Sequence, residues 1–207
     1  MDGRWRIGRR FGLAAALAGG LALAGPVQAQ FSASYKFLEA VRKKDGEAVT
    51  EALDKPGSTI VNTRDVTTGD SALHIVVARR DLTWVMFLQQ RGANVNLRNN
   101  KGQTPLQLAT TLGFVEGVQA LVRLGARVDD ANDTGETPLI SAVHRRDAAM
   151  ARVLLRAGAD PRRSDNSGRS ALDYAQLDGR GNPVLAEIES AASNPARSSS
   201  ATYGPKL

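Results

Sequence analysis

The chain has 207 residues, 42% of them hydrophobic but only 5% aromatic, with a formal net charge of +6 and no cysteine. Disulfides and thiolate metal sites are therefore excluded, and so few aromatics suit thin layers packed by Ala, Leu and Val better than one large core. Arg4, Arg6, Arg9 and Arg10 against Asp2 supply +3 of the charge within residues 1–29, which leaves the remainder only mildly basic at +3 and gives no reason to expect a nucleic-acid partner.

Residues 1–10 are arginine-rich, residues 11–25 (FGLAAALAGGLALAG) are apolar and small, and Val27-Gln28-Ala29 has the small-x-small form of a signal-peptidase site. Residues 1–29 read as a secretory signal peptide. The apolar run is shorter than the ~20 residues that span a bilayer, so no stable membrane insertion is expected after cleavage. Arg9-Arg10-Phe11 partly matches a twin-arginine signal, and the ordinary and twin-arginine routes both stay open. The expected location is periplasmic or secreted, in a bacterium.

From residue 31 onward the chain repeats itself. Gly69, Gly102, Gly135 and Gly168 fall at a spacing of 33, as do Gly92, Gly125 and Gly158. The first series is followed by SAL, TPL, TPL and SAL; the second is preceded by the apolar pairs Phe87/Leu88, Leu121/Val122 and Leu154/Leu155. Thr104 and Thr137 are placed as helix N-caps, with Pro105 and Pro138 at the first helical position, where a missing N–H is not felt. Leu106, Leu108 and Ala109 line one face of that helix. After a turn at Gly113 a second helix runs from about Val115, with Val118, Leu121 and Val122 inward, and Gly125 ends it. The polar residues up to the next TPL read as a β-turn or hairpin finger.

Five units follow, at about 33–66, 67–99, 100–132, 133–165 and 166–193. In the first, Phe37, Ala40, Val49 and Leu53 align with Leu106, Ala109, Val118 and Val122, but the loop after it is three residues longer than the others. In the last, the GA step is missing and VLAEIESAAS from Val184 forms a polar-faced closing helix. Terminal units of an array deviate in this way because one side faces water. Residues 194–207 (NPARSSSATYGPKL) have no apolar periodicity and read as a disordered tail.

The period, the SALH/TPLQ/TPLI/SALD starts, and GANVN, GARVD and GADPR from Gly92, Gly125 and Gly158 resemble the ankyrin repeat. The resemblance implies an all-α solenoid of helix–turn–helix units with β-turn fingers over residues 31–193, including two atypical caps. It also implies that partners lie across the finger tips and the inner face of the first helices. Carried over by column, those places are Asp70, Arg79, Arg80, Asn100, Lys101, Gln103, Thr111, Phe114, Asp133, Glu136, Arg145, Arg146 and Arg169. These columns vary from unit to unit, as a specific surface requires. The helix-turn glycine of the pattern is kept as Gly113 but replaced by Arg80 and Arg146, which leaves the turn geometry open.

Residues capable of chemistry are few. His74 and His144, the only histidines, should lie about 20 Å apart across two helix layers, too far to share a metal. His74 stands where the resemblance implies a bond to the capping hydroxyl, and His144 at an exposed helix end. Gly69-Asp70-Ser71-Ala72-Leu73 is similar to a serine-esterase motif, yet Ser71 shares the column of Thr104, Thr137 and Ser170 and is better used as a cap. Trp84 lies in a column that is half exposed, so its indole is either core or contact. The pairs Lys43-Lys44, Arg79-Arg80 and Arg145-Arg146 share two columns and read either as solvated charge or as a broken positive ladder for an acidic patch on a partner. The expectation is a monomeric, exported, non-catalytic module that holds another protein, with no cofactor. A secreted effector acting on host proteins and an enzyme with an unrecognised site remain alternatives.

Overall fold

Short helices in pairs make up about half of residues 32–193, the part that the computed structural model describes, and turns and fingers the rest; the expected signal peptide and tail lie outside it. The inner helices are α1 (Ala33–Lys43), α3 (Ala72–Ala78), α5 (Pro105–Thr111), α7 (Pro138–His144) and α9 (Ala171–Leu177). The outer ones are α2 (Gly46–Asp54), α4 (Leu82–Gln90), α6 (Val115–Arg123), α8 (Ala148–Arg156) and α10 (Pro183–Ala192). The fold is an all-α repeat solenoid. Among the described residues the only strand-like pairings are two isolated bridges, Arg64 with Ser71 and Ser164 with Ser170.

Inner helices of seven residues are too short to persist alone in water, so their ends are fixed locally and their faces by neighbours. Thr104 Oγ1 accepts the Gln107 N–H at 3.3 Å and Thr137 Oγ1 that of Ile140 at 3.2 Å, with Pro105 and Pro138 following at the first turn. Inner helix packs on inner helix from α1 to α9, and α4, α6, α8 and α10 pack in turn behind them. The columns Leu73/Leu106/Leu139 and Leu88/Leu121/Leu154 run buried through the stack. Leu108, Leu53 and Val122, expected to face inward, are only half-buried, since each lies at the edge of its helix's apolar stripe.

Each inner helix is joined to its outer partner through one left-handed residue. Gly113 takes it with φ 69°, but so do Lys44 at 59°, Arg80 at 56° and Arg146 at 54°. The turn geometry is therefore kept without glycine, at about 1 kcal/mol for each substituted position.

The first junction differs from the rest. α2 starts 36 residues before α4, against 33 for α4 to α6 and α6 to α8, which gives the three extra residues read from the sequence. One of them lengthens the finger, where the Asp65 N–H reaches Asp70 O while Asn99, Asn132 and Asp165 reach only four residues on. A 3-10 turn over Ile60–Asn62 takes up part of the remainder. Behind it α2 and α4 part, leaving a gap of about 240 Å³ lined by Gly46, Thr50, Thr83, Trp84 and Phe87. Trp84 meets Phe87 edge-on at 5.6 Å, and the Arg79 guanidinium covers its ring at 5.1 Å.

Candidate functional site

The fingers are built from one amide or carboxylate each. Asn99 Oδ1 accepts the N–H groups of Lys101 and Gln103, both at 3.0 Å; Asn132 accepts those of Thr134 and Glu136; Asp165 accepts those of Ser167 and Arg169. Backbone donors that would otherwise point into water are thereby turned into a rigid tip. Successive tips are then stitched together, because Asn100 N–H donates to Thr68 O at 2.9 Å, Asp133 N–H to Lys101 O at 3.3 Å and Asn166 N–H to Thr134 O at 3.1 Å.

That stitch explains the glycine series. A Cβ on Gly69, Gly102 or Gly135 would lie 2.8 Å or less from the backbone nitrogen of Asn100, Asp133 or Asn166, whereas at Gly168 it would meet nothing. Gly168→Ala is accordingly the mildest change of the four. It lowers stability by about 1 kcal/mol, the left-handed backbone alone, and alanine at the other three lowers the melting temperature further.

The side chains of the same column bond too. Asn100 Nδ2 donates to Thr67 O at 3.0 Å and Asn166 Nδ2 to Asp133 O at 2.9 Å, but Asp133 between them has no donor. Asp133→Asn adds the missing bond to Asn100 O and raises stability by about 1 kcal/mol, read as a higher urea midpoint at unchanged slope.

The arginines expected to form a positive ladder serve as caps between repeats. Arg79 donates to Val41 O and to Arg42 O and stands 3.4 Å from the Asp81 carboxylate; Arg80 donates to Leu112 O; Arg145 donates to Thr111 O at 2.9 Å. These carbonyls belong to the C-terminal ends of α1 and α5, where the helix runs out of its own N–H donors and its dipole favours a cation. Arg146 pairs with Asp178 at 3.5 Å. Arg79 is half-buried by this role, while Arg80, Arg145 and Arg146 keep an exposed edge.

Of the other residues assigned to the contact face, Asn100, Lys101, Thr111, Asp133 and Arg169 are exposed, and Asp70, Gln103 and Glu136 are half-buried. Phe114 has to be corrected. It is 6% exposed, precedes α6, and lays its ring against Gly117, where a Cβ would meet it at 2.2 Å. A large apolar ring beside a glycine is drawn into the layer, not onto the surface. Ser71 and His74 do come together, with Oγ 2.9 Å from Nδ1, but both are buried and Nε2 is occupied by Gln103 O at 2.9 Å. The pair locks one repeat to the next and gives a substrate no approach.

An open groove of about 530 Å³, which the repeat pattern alone does not announce, lies between the third and fourth fingers. Asp133, Thr134, Glu136, His144, Asp165, Asn166 and Ser167 line it. His144 packs edge-on against Tyr174 at 4.7 Å, and its Nδ1 lies 3.4 Å from Glu136 Oε1, which also accepts from Ser141 Oγ at 2.7 Å. Partial burial raises the Asp165 pKa, but donation from the Ser167 and Tyr174 hydroxyls and from the Arg169 and Ser167 N–H groups outweighs it and holds the carboxyl at about 2. Among the described residues no group of His, Asp and Glu is placed to hold a metal ion, and no helix is long and apolar enough to cross a membrane.

Two family models match the chain. One, ankyrin repeats in three copies, covers residues 37–132; the other, ankyrin repeats in many copies, covers residues 121–175.

Proposed function

Because the chain belongs to the ankyrin-repeat family, whose repeats generally mediate protein–protein interaction, we propose that it is an exported, non-catalytic module that holds another protein across its finger tips and inner helices. One observation carries this reading. Along the finger face the column Asp70, Gln103, Glu136 and Arg169 changes character at every repeat, while Gly69, Gly102, Gly135 and Gly168 and the buried leucines do not. A scaffold needs the constant columns, and a specific surface needs the varying ones. Export is inferred from the arginine-rich start, the small apolar run and Val27-Gln28-Ala29.

The test is site-directed photo-crosslinking in the native cell, with the reactive residue placed at Lys101 or Arg169 on the fingers, or at Gln119 on an outer helix. A discrete adduct from the finger positions and none from Gln119 is the expected result. Adducts from Gln119 alone, or from neither, overturn the surface assignment. Fractionation of the same cells reads out export: the chain is expected in the periplasm, whereas appearance in the medium or in a host cell favours the effector reading.

A further inference from the structure

The chain contains one Asn-x-Ser/Thr triad, Asn132-Asp133-Thr134, within the run Asp130-Ala131-Asn132-Asp133-Thr134. In an exported chain this pattern marks an asparagine that takes an oligosaccharide on its side-chain nitrogen, provided that the site is a surface loop and the nitrogen is free. Both conditions set Asn132 apart. The triad forms the tip of the third finger, where Asp133 and Thr134 are exposed. Asn62, Asn96, Asn99, Asn100, Asn166 and Asn182 all spend Nδ2 as a donor to a neighbouring carbonyl or carboxylate. Among the described residues Asn132 Nδ2 donates to nothing, and it is not sealed from water. Asn94 also keeps its nitrogen free, but Asn94-Val95-Asn96 lacks the hydroxyl.

An amide nitrogen is a poor nucleophile because its lone pair is shared with the carbonyl, so what touches Oδ1 matters. Asn132 Oδ1 accepts from the Thr134 hydroxyl at 2.7 Å, the Thr134 N–H at 3.0 Å and the Glu136 N–H at 2.9 Å. Three donors on one oxygen favour the form in which the amide has lost a proton and its charge rests on that oxygen, which eases attack by the nitrogen. Thr134 supplies two of the three. Asn99, in the second finger, has Lys101 where Asn132 has Thr134 and receives no hydroxyl. The bonds of the third finger stay within residues 132–136, so local sequence sets this turn without waiting for the repeats to stack.

We infer that Asn132 is an N-glycosylation acceptor, with an oligosaccharide carried on a lipid diphosphate as the donor. Nδ2 attacks the anomeric carbon of the first sugar and a C–N bond forms. The bond from that carbon to the diphosphate oxygen breaks, the lipid diphosphate leaves with the electron pair, and the Nδ2 proton passes to a base of the transferring enzyme. Oδ1 is untouched by the step, so the finger keeps its acceptor. The inference rests on the export proposed above, because transfer takes place where exported chains emerge from the membrane. It also narrows the contact surface: a glycan on the third finger leaves Gln103 on the second and Arg169 on the fourth to the partner protein.

The experiment is mass spectrometry of the chain purified from each fraction of the native cell, with any sugar placed by fragmenting the peptide that holds Asn132. A run of hexose or N-acetylhexosamine masses on Asn132 in the exported fraction is expected. It is lost in Asn132→Asp, which removes the nitrogen but keeps the acceptor, as Asp165 does in the fourth finger. It is lost in Thr134→Val and kept in Thr134→Ser, since Ser167 makes the same hydroxyl bond to Asp165. Retention in Thr134→Ser, at the melting temperature of the native chain, separates this from a folding defect. An exported chain at its bare mass, a sugar on any other residue, or a sugar that survives Asn132→Asp overturns the inference and leaves export standing. A bare chain found only in the cytoplasm removes both.

Discussion

Leu121→Ala lowers the free energy of unfolding by about 2–5 kcal/mol, the largest single loss expected from a conservative truncation. Leu121 is fully buried on α6, which packs on α5 and between α4 and α8. The loss combines the transfer of the deleted methyl groups with a cavity that three neighbouring helices cannot close together, since each is held by its own repeat. In an array whose stability is a sum over units and junctions, a defect in the central unit weakens two junctions at once. Urea unfolding checks this: a lower midpoint is expected, with a broadened transition if the two halves begin to separate. The control is Val122→Ala on the same helix, half-buried, for which about 1 kcal/mol is expected. Equal effects for the two would take Leu121 out of the core.

The second large effect is at His74. Burial holds its imidazole below the ordinary value of about 6.5 and outweighs the bond to Gln103 O, which by itself favours the protonated ring; Nδ1 accepts from the Ser71 N–H. The folded state therefore refuses a proton that the unfolded chain takes up. Stability is unaffected above pH 6.5 and declines as the pH falls below it, by at most about 1.4 kcal/mol per unit. Carboxylates answer in a separate window. Asp65, held at about 2 by the Thr68 N–H, Arg42 and the Thr67 N–H, and Asp165, also at about 2, withdraw their contributions only below about pH 4.

His74→Ala removes the Gln103 bond and strands a partly buried carbonyl, a loss of about 1–3 kcal/mol at pH 7.5. His74→Gln is the informative partner. Gln107, one repeat on, makes the equivalent bond to Glu136 O and tolerates an unpaired Oε1, so glutamine at 74 retains the cross-repeat link. Melting temperatures measured from pH 7.5 to 5 are expected to fall in the native chain and stay level in His74→Gln. A parallel fall in both would assign the acid sensitivity elsewhere.

The helix starts at Pro105 and Pro138, the outer-helix ends at Gly92, Gly125 and Gly158 and the longer first loop are all legible from spacing, because each depends on backbone geometry that only a few residue types satisfy. What spacing could not convey was which side chain crosses to which repeat. Arg80 and Arg146 looked like departures from a glycine rule; they adopt the left-handed turn anyway, and Arg80 then reaches a helix end in the next layer. Phe114, expected on the surface, stands where Asp45, Asp81 and Asp147 cap their helices, yet Gly117 one turn later leaves room for its ring inside. The groove escaped for the same reason. Asp133, Glu136 and Asp165 belong to two different fingers, and only the stacking of those fingers shows that no lysine or arginine stands between them.

The gap behind the first junction gives the array a direction. α10 is firmly seated on α8, but α2 meets α4 across a space large enough for a side chain, so the first unit is held by α1 on α3, by Arg79 on the end of α1, by Asn62 on the chain at Gly92 and Asn94, and by exposed ion pairs of small worth such as Arg91 to Asp54. Local opening then begins at one end. The first unit can peel away and return while the remaining four stay closed, so amide protection against hydrogen exchange climbs in steps from α2 toward α6. The end nearest the expected export signal is the last to lock and the first to release.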